Sequence, residues 1–102
     1  MSRDQIKKLA KQYRRILTDN GLVVNKMFLF GSYAQGKPNR WSDIDIAVVI
    51  DKTTGWWSSQ RFVSRLSLLV DNRLEPHVFN IKDFANDADP LVYEIKKTGI
   101  RV

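Results

Sequence analysis

The segment FLFGSYAQGKPNRWSDIDIAVVI, residues 28–50, decides how this chain is read. It joins two apolar runs through a polar stretch holding Gly31-Ser32, Lys37, Arg40 and the triplet Asp43-Ile44-Asp45. Both runs are strand-like: Val23 to Phe30 closes on Met27-Phe28-Leu29-Phe30, and Asp43 to Ile50 is aliphatic throughout after Asp45. Gly31-Ser32 breaks the first strand, and Gly36, Pro38 and Asn39 make residues 33–42 a loop or a short helix. Side chains two apart on a strand share a face, so Asp43 and Asp45 point together while Ile44 and Ile46 enter the core.

The flanking sequence supplies the helices. Ser2 to about Asn20 predicts a helix, capped by Ser2 or Asp4, with apolar residues recurring at three and four and Asn20-Gly21 as its stop. Lys7, Lys8, Lys11, Arg14 and Arg15 fall around its apolar stripe as a solvated face. After a turn at DKTTGWW, Trp57 to about Asn72 predicts a second helix with Phe62, Val63, Leu66, Leu69 and Val70 on one side. Leu74 to Asn80 reads as a third strand in which Pro76 signals an edge or the strand's first residues. Lys82 to Asn86 suits one helical turn, and Pro90 suits the first turn of a last helix ending near Gly99, with Leu91, Val92 and Ile95 inward. Ile100 to Val102 closes as a short strand. This order predicts an α/β fold, a small mixed β-sheet backed by helices on one side.

The chain has 102 residues, 43% of them hydrophobic, which suits one core and predicts a single domain over 1–102. Its apolar runs are far shorter than the roughly 20 residues of a membrane span, and its start lacks the apolar region of a signal peptide, so a cytoplasmic protein with no membrane partner is expected. With no cysteine and one histidine, His77, the composition excludes a thiolate zinc site and a histidine cluster, and oxygen ligands are expected for any metal. The net charge of +6 inclines the chain towards a polyanionic partner: nucleic acid, a nucleotide or an acidic protein.

An Asp-x-Asp at a strand start is commonly a solvated turn, and a Gly-Ser pair alone says little. Together, Gly-Ser, ten residues and Asp-x-Asp arise by chance on the order of once in a thousand chains of this length. Two carboxylates on one strand face repel unless a cation lies between them, and one or two Mg²⁺ ions would supply it through carboxylate, phosphate and water oxygens. The preceding loop suits phosphate: Gly31 admits close backbone approach, Ser32 and nearby N–H groups donate, and Lys37 and Arg40 add positive charge.

The stretch GSYAQGKPNRWSDIDIAV closely resembles the signature of the nucleotidyltransferase superfamily typified by DNA polymerase β, in its smallest form, the minimal nucleotidyltransferase domain. The ending PLVYEIKKTGIRV also looks like that family's last helix and strand. The resemblance implies a polymerase β-like nucleotidyltransferase fold, with Gly31 and Ser32 at the triphosphate and Asp43 and Asp45 at the metals. It also implies a third carboxylate from a neighbouring strand, for which Glu75 is the candidate. Relatives often carry Asp at that place and an Arg within the segment occupied here by Tyr33 to Gln35. His77, two positions on from Glu75 and on its face, reads as a partly buried structural histidine or a polar neighbour of Glu75.

Such a site would move AMP, or another NMP, from an NTP, with ATP the expected donor, to an acceptor hydroxyl. Two metals about 3.5–4 Å apart can hold the attacking and leaving oxygens in line across the α-phosphorus. Polymerases of this superfamily need further domains to grip nucleic acid, which disfavours nucleic acid as the direct substrate. Minimal domains instead resemble antitoxins of two-gene modules whose partner is a HEPN ribonuclease toxin, which they modify on a tyrosine or mask by binding. Adjacent Trp56 and Trp57 cannot both point inward on one face, so one of them is available to a partner or covers a helix end. With Phe62 they would serve a homo-oligomer as readily as a toxin.

Overall fold

The computed structural model describes residues 2–36, 43–51 and 56–102, and of residues 56–59 the backbone alone. Helix α1 (Arg3–Asp19) is followed by strands β1 (Val24–Phe30) and β2 (Ile44–Ile50), helix α2 (Trp56–Ser67) and strand β3 (Leu74–Asn80). A one-turn α3 (Ile81–Phe84), helix α4 (Pro90–Thr98) and the two-residue strand β4 (Ile100–Arg101) complete the order. The four strands form one sheet in the order β3-β2-β1-β4. β1 is antiparallel to β2 and β4, whereas β2 and β3, joined through α2, run parallel. The sheet is therefore mixed, as the sequence predicts.

Local chemistry accounts for the element ends. Ser2 caps α1 in a reciprocal capping box, its hydroxyl accepting from the Gln5 N–H while its own N–H donates to Gln5 Oε1 at 2.7 Å. Asp89 caps α4, with Pro90 just inside, where its missing N–H leaves no intrahelical bond unmade. α2 stops at Ser67, five residues before the predicted end, because residues 68–70 turn back on 65–67 through successive short-range bonds. The consequence falls on the predicted apolar side: Val63 and Leu66 are buried, while Leu69 is 69% exposed and Phe62 lies at the surface.

Alternation along the strands divides the core in two. Ile44, Ile46, Val48 and Ile50 of β2, with Met27 and Leu29 of β1, meet Ile6, Ala10, Tyr13 and Leu17 of α1 and Val63 and Leu66 of α2. Ala47 and Val49, with Phe30, meet Phe84, Val92 and Ile95 on the other face, where Phe28 stacks on Phe84 at 5.5 Å. Helices thus cover both faces of the sheet, α1 and α2 on one and α3 and α4 on the other, which corrects the one-sided arrangement expected from sequence. The unbroken apolar run Ala47 to Ile50 carries the physical reason, since a strand covered on both faces needs no polar alternation.

Tyr13 is fully buried between α1 and α2, where its hydroxyl donates to the Val63 carbonyl and burial pushes its phenol pKa upward. Arg14, predicted to be solvated, donates instead to the carbonyls of Val102 and Val24, at 2.9 and 3.4 Å, and ties α1 across the β4 side of the sheet. At the opposite side β3 is an edge strand. The Ile44 N–H donates to the Arg73 carbonyl, and the alternation of a parallel ladder from that bond turns Glu75 and His77 backbone groups towards β2 and Pro76 outward. A proline, which has no N–H, therefore costs this sheet no hydrogen bond.

Candidate active site

The acidic residues converge where β2 and β3 begin. Register places Asp45 opposite Glu75 on β3 and opposite Phe30 on β1. Asp45, Glu75 and His77 project from the face of the sheet that α3 and α4 cover further along, and here that face is open. One ligand atom from each of the three lies within 4.8 Å of the other two. His77 Nε2 stands 3.3 Å from Asp45 Oδ1 and 3.8 Å from Glu75 Oε1, and the Phe30 ring packs on the imidazole at 5.1 Å between centroids. Asp43, exposed just before β2, adds a fourth group through a hydrogen bond with the Glu75 carboxyl.

The electrostatics follow from this crowding. The Glu75 carboxyl is held above the usual carboxylate range by its partial burial, then by the hydrogen bond to Asp43 and the charge of Asp45, with His77 opposing. His77 is raised above the ordinary imidazole value chiefly by its hydrogen bond to Asp45, against the cost of burial. Three carboxyl groups and one imidazole in a half-open pocket form a donor set suited to a divalent cation, whose charge would relieve the repulsion that raises Glu75.

Gly31 forms the floor. Its φ of +73° is a conformation that L side chains rarely adopt, and a Cβ built there would overlap Asp45 Oδ2 and lie 3.2 Å from Asp45 Cγ. The backbone leaves β1 directly beneath the carboxylate. Residues 31–36 then make a helical turn, in which the Gln35 N–H donates to the Gly31 carbonyl at 3.2 Å. Buried Tyr33 and Ala34 pin this turn to the α1 side of the core, and Arg3 Nη2 donates to the Ala34 carbonyl at 3.1 Å. Among the described residues, neither the Ser32 hydroxyl nor its N–H meets an acceptor, so both are available to an incoming phosphate.

The structure thus brings together Gly31, Asp43, Asp45 and Glu75, with Ser32 next along the turn. Lys37, Arg40 and the loop around them lie outside the described residues, as do the side chains of Trp56 and Trp57. Sequence reasoning left His77 as a structural histidine or a neighbour of Glu75 and expected oxygen ligands alone. Its imidazole in fact faces two carboxylates, and period-two alternation from Glu75 was the signal that pointed there. Arg3 was missed because only the fold brings the first turn of α1 to residue 34.

Known proteins share the fold on which this cluster is built. The family described as polymerase beta nucleotidyltransferase matches residues 4–102. Protein adenylyltransferase MntA of Shewanella oneidensis is 41% identical over 61 residues, which are 56% of this chain and 44% of that protein. The chain thus matches less than half the length of that relative. Among solved structures, a toxin-antitoxin crystallised with AMP-PNP aligns with a TM-score of 0.65 and 25% identity over 89% of this chain and 69% of that one. A mutant of the toxin-antitoxin MntA-HpeT aligns with a TM-score of 0.61 and 23% identity over 91% and 70%, a likeness of fold.

Proposed function

The chain belongs to the polymerase beta nucleotidyltransferase family, and from that premise we propose that it transfers a nucleoside monophosphate, AMP first among them, from a nucleoside triphosphate to a hydroxyl of a protein partner. The observation that carries this reading is the convergence of Asp45 and Glu75, with Asp43 at hand, beside Ser32 donors that meet no acceptor among the described residues. Asp43, Asp45 and Glu75 would hold the divalent cation, Mg²⁺ in the first instance. When bound, that ion supplies positive charge to the phosphate oxygens and to the departing pyrophosphate.

The chain's own groups do the rest. Ser32 and the backbone above Gly31 bind triphosphate oxygens, with Lys37 and Arg40 as further cations for the leaving group. The carboxylates orient the acceptor so that its oxygen bonds to the α-phosphorus as the bond to the β-phosphate bridge breaks, with pyrophosphate leaving and the hydroxyl proton passing to solvent or a nearby base. The Gly31 close approach sets Asp45 directly against the turn that would bind the phosphates.

The names carried by the relatives, a protein adenylyltransferase and two toxin-antitoxin assemblies, support a toxin as the partner and an antitoxin role for this chain. A tyrosine hydroxyl of a HEPN ribonuclease as the acceptor is what the resemblance of the signature implies. On this reading residues 1–102 act as one minimal nucleotidyltransferase domain, in the cytoplasm, where nucleoside triphosphates are supplied. Among the described residues no helix is long and apolar enough to cross a membrane.

The test is intact-mass spectrometry of both chains after incubation with Mg²⁺, each of the four NTPs and the product of the neighbouring gene. A gain of one or more nucleotidyl units on the partner, lost in Asp43→Asn/Asp45→Asn, is the expected result. An unmodified partner that co-elutes with this chain would replace catalysis with neutralisation by binding.

A further inference from the structure

We propose that His77 is a direct metal ligand, and that its nitrogen makes this site select Mn²⁺ and the later first-row divalent ions over Mg²⁺. The inference rests on reading the acidic cluster as a metal site and goes beyond it, since carboxylates alone would suit Mg²⁺. Three observations carry it: register, room and distance.

β2 and β3 run parallel with Asp45 opposite Glu75 and Ala47 opposite His77. The small Ala47 side chain leaves space at that position, and the imidazole leans back along the sheet towards the carboxylates. Phe30, 5% exposed, packs against the ring with an interplanar angle of 67° and limits its rotation. The imidazole is therefore placed at the rim of the site, with Nε2 aimed at oxygens on two different strands.

The distances fit ligation. Ligands bound at about 2.1 Å lie about 3.0 Å apart when adjacent in an octahedron and about 4.2 Å apart when opposite. The separations of Nε2 from Asp45 Oδ1 and Glu75 Oε1, 3.3 and 3.8 Å, fall inside that interval. One ion can reach all three atoms with sub-ångström adjustment of side chains. Without an ion the same nitrogen serves both carboxylates as a proton donor, at 3.3 and 3.8 Å, and a cation in its place would meet all three groups.

Ligand chemistry then sets the preference. Mg²⁺ takes oxygen ligands almost exclusively and gives up water reluctantly, so an imidazole adds little to its binding. Affinity for a nitrogen donor rises along Mn²⁺, Fe²⁺, Co²⁺ and Ni²⁺, and imidazole is a common ligand of Zn²⁺. Mn²⁺ is the useful probe, because its unpaired electrons report the nuclei bound to it.

His77 is the only histidine in the chain, so an imidazole-nitrogen coupling has one source once no affinity tag is attached. The experiment titrates the untagged, nucleotide-free protein with Mn²⁺ or Mg²⁺ and records pulsed EPR of the Mn²⁺ complex. We expect imidazole ¹⁴N coupling in the wild type and Mn²⁺ binding about tenfold or more tighter than Mg²⁺. His77→Gln should abolish the coupling, weaken Mn²⁺ about tenfold or more and leave Mg²⁺ within about threefold.

Mn²⁺ bound at the carboxylates without ¹⁴N coupling would overturn the assignment of His77 and leave the metal site standing. Binding of neither ion would overturn the metal site as well. Because the decisive spectrum is that of the wild type, poor folding of the variant would not rescue the proposal.

Discussion

Replacing Gly31 by alanine separates backbone strain from damage to the site. Gly31 has φ +73°, and holding an L residue in the left-handed region costs about 1–2 kcal/mol. For a domain of this size that lowers the thermal midpoint by roughly 5–15 °C, at about 4–8 °C per kcal/mol. Gly21 offers the control: its φ is +86°, but an added Cβ there meets nothing within 4 Å. Gly21→Ala should therefore match the stability loss and nothing more. At Gly31 the new methyl carbon overlaps Asp45 Oδ2, and the carboxylate must retreat by about 1 Å, a misplacement that costs on the order of 100-fold in a positioned reaction. The assay pairs thermal unfolding with Mn²⁺ affinity and nucleotidyl transfer at a temperature where both variants are folded. Gly31→Ala with normal metal affinity and transfer, or Gly21→Ala with an equal loss of both, would refute the assignment of Gly31 as the floor of the site.

Other expectations follow from the packing and the charges. Leu66 is 7% and Leu69 69% exposed, so Leu66→Ala should cost about 2–5 kcal/mol in chemical denaturation and Leu69→Ala less than about 0.5. Tyr13→Phe, which removes the buried hydroxyl donating to Val63, should cost about 1 kcal/mol by the same measurement. Because the Glu75 carboxyl is raised in the folded protein, the native state holds its proton longer than the unfolded chain does. Its contribution is therefore lost as pH rises from the unfolded value through the folded one, and metal-free wild type should lose stability relative to Glu75→Gln over that window. Saturating divalent ion should abolish the difference or reverse it. Asp71 has the opposite sign: its hydrogen bonds with Arg73 lower its pKa, so its stabilisation is complete above the ordinary carboxylate value and fades as pH falls through the lowered one. Comparing acid unfolding of wild type and Asp71→Asn measures it.

Much of this was legible because each local signal agreed with its neighbours. Ser2 with Gln5, Asp89 with Pro90, and the apolar runs ending at Phe30 and Ile50 mark element ends within a residue or two. Gly31, Asp43 and Asp45 were legible as a site because their spacing is rare. The stop of α2 was not, since Leu68, Leu69 and Val70 continue the helical period although their backbone turns away. Nor does periodicity say which face of a sheet a helix covers, so the position of α3 and α4 emerged only with the strand order. His77 shows the same limit: its face followed from Glu75, but its approach to Asp45 depends on parallel register between strands separated by a helix. Lys37 and Arg40 remain proposals from sequence.

The proline of β3 has a consequence for the solution behaviour of the protein. A sheet edge with an uninterrupted row of donors is a template on which another chain can add a strand, the first step of many aggregates. Pro76 deletes a donor from the middle of that outward row, between Leu74, whose N–H is already held by the Asp71 carbonyl, and Val78. The residue beside the candidate third carboxylate thus guards the exposed flank of the sheet against self-association, and it does so without covering the mouth of the candidate site.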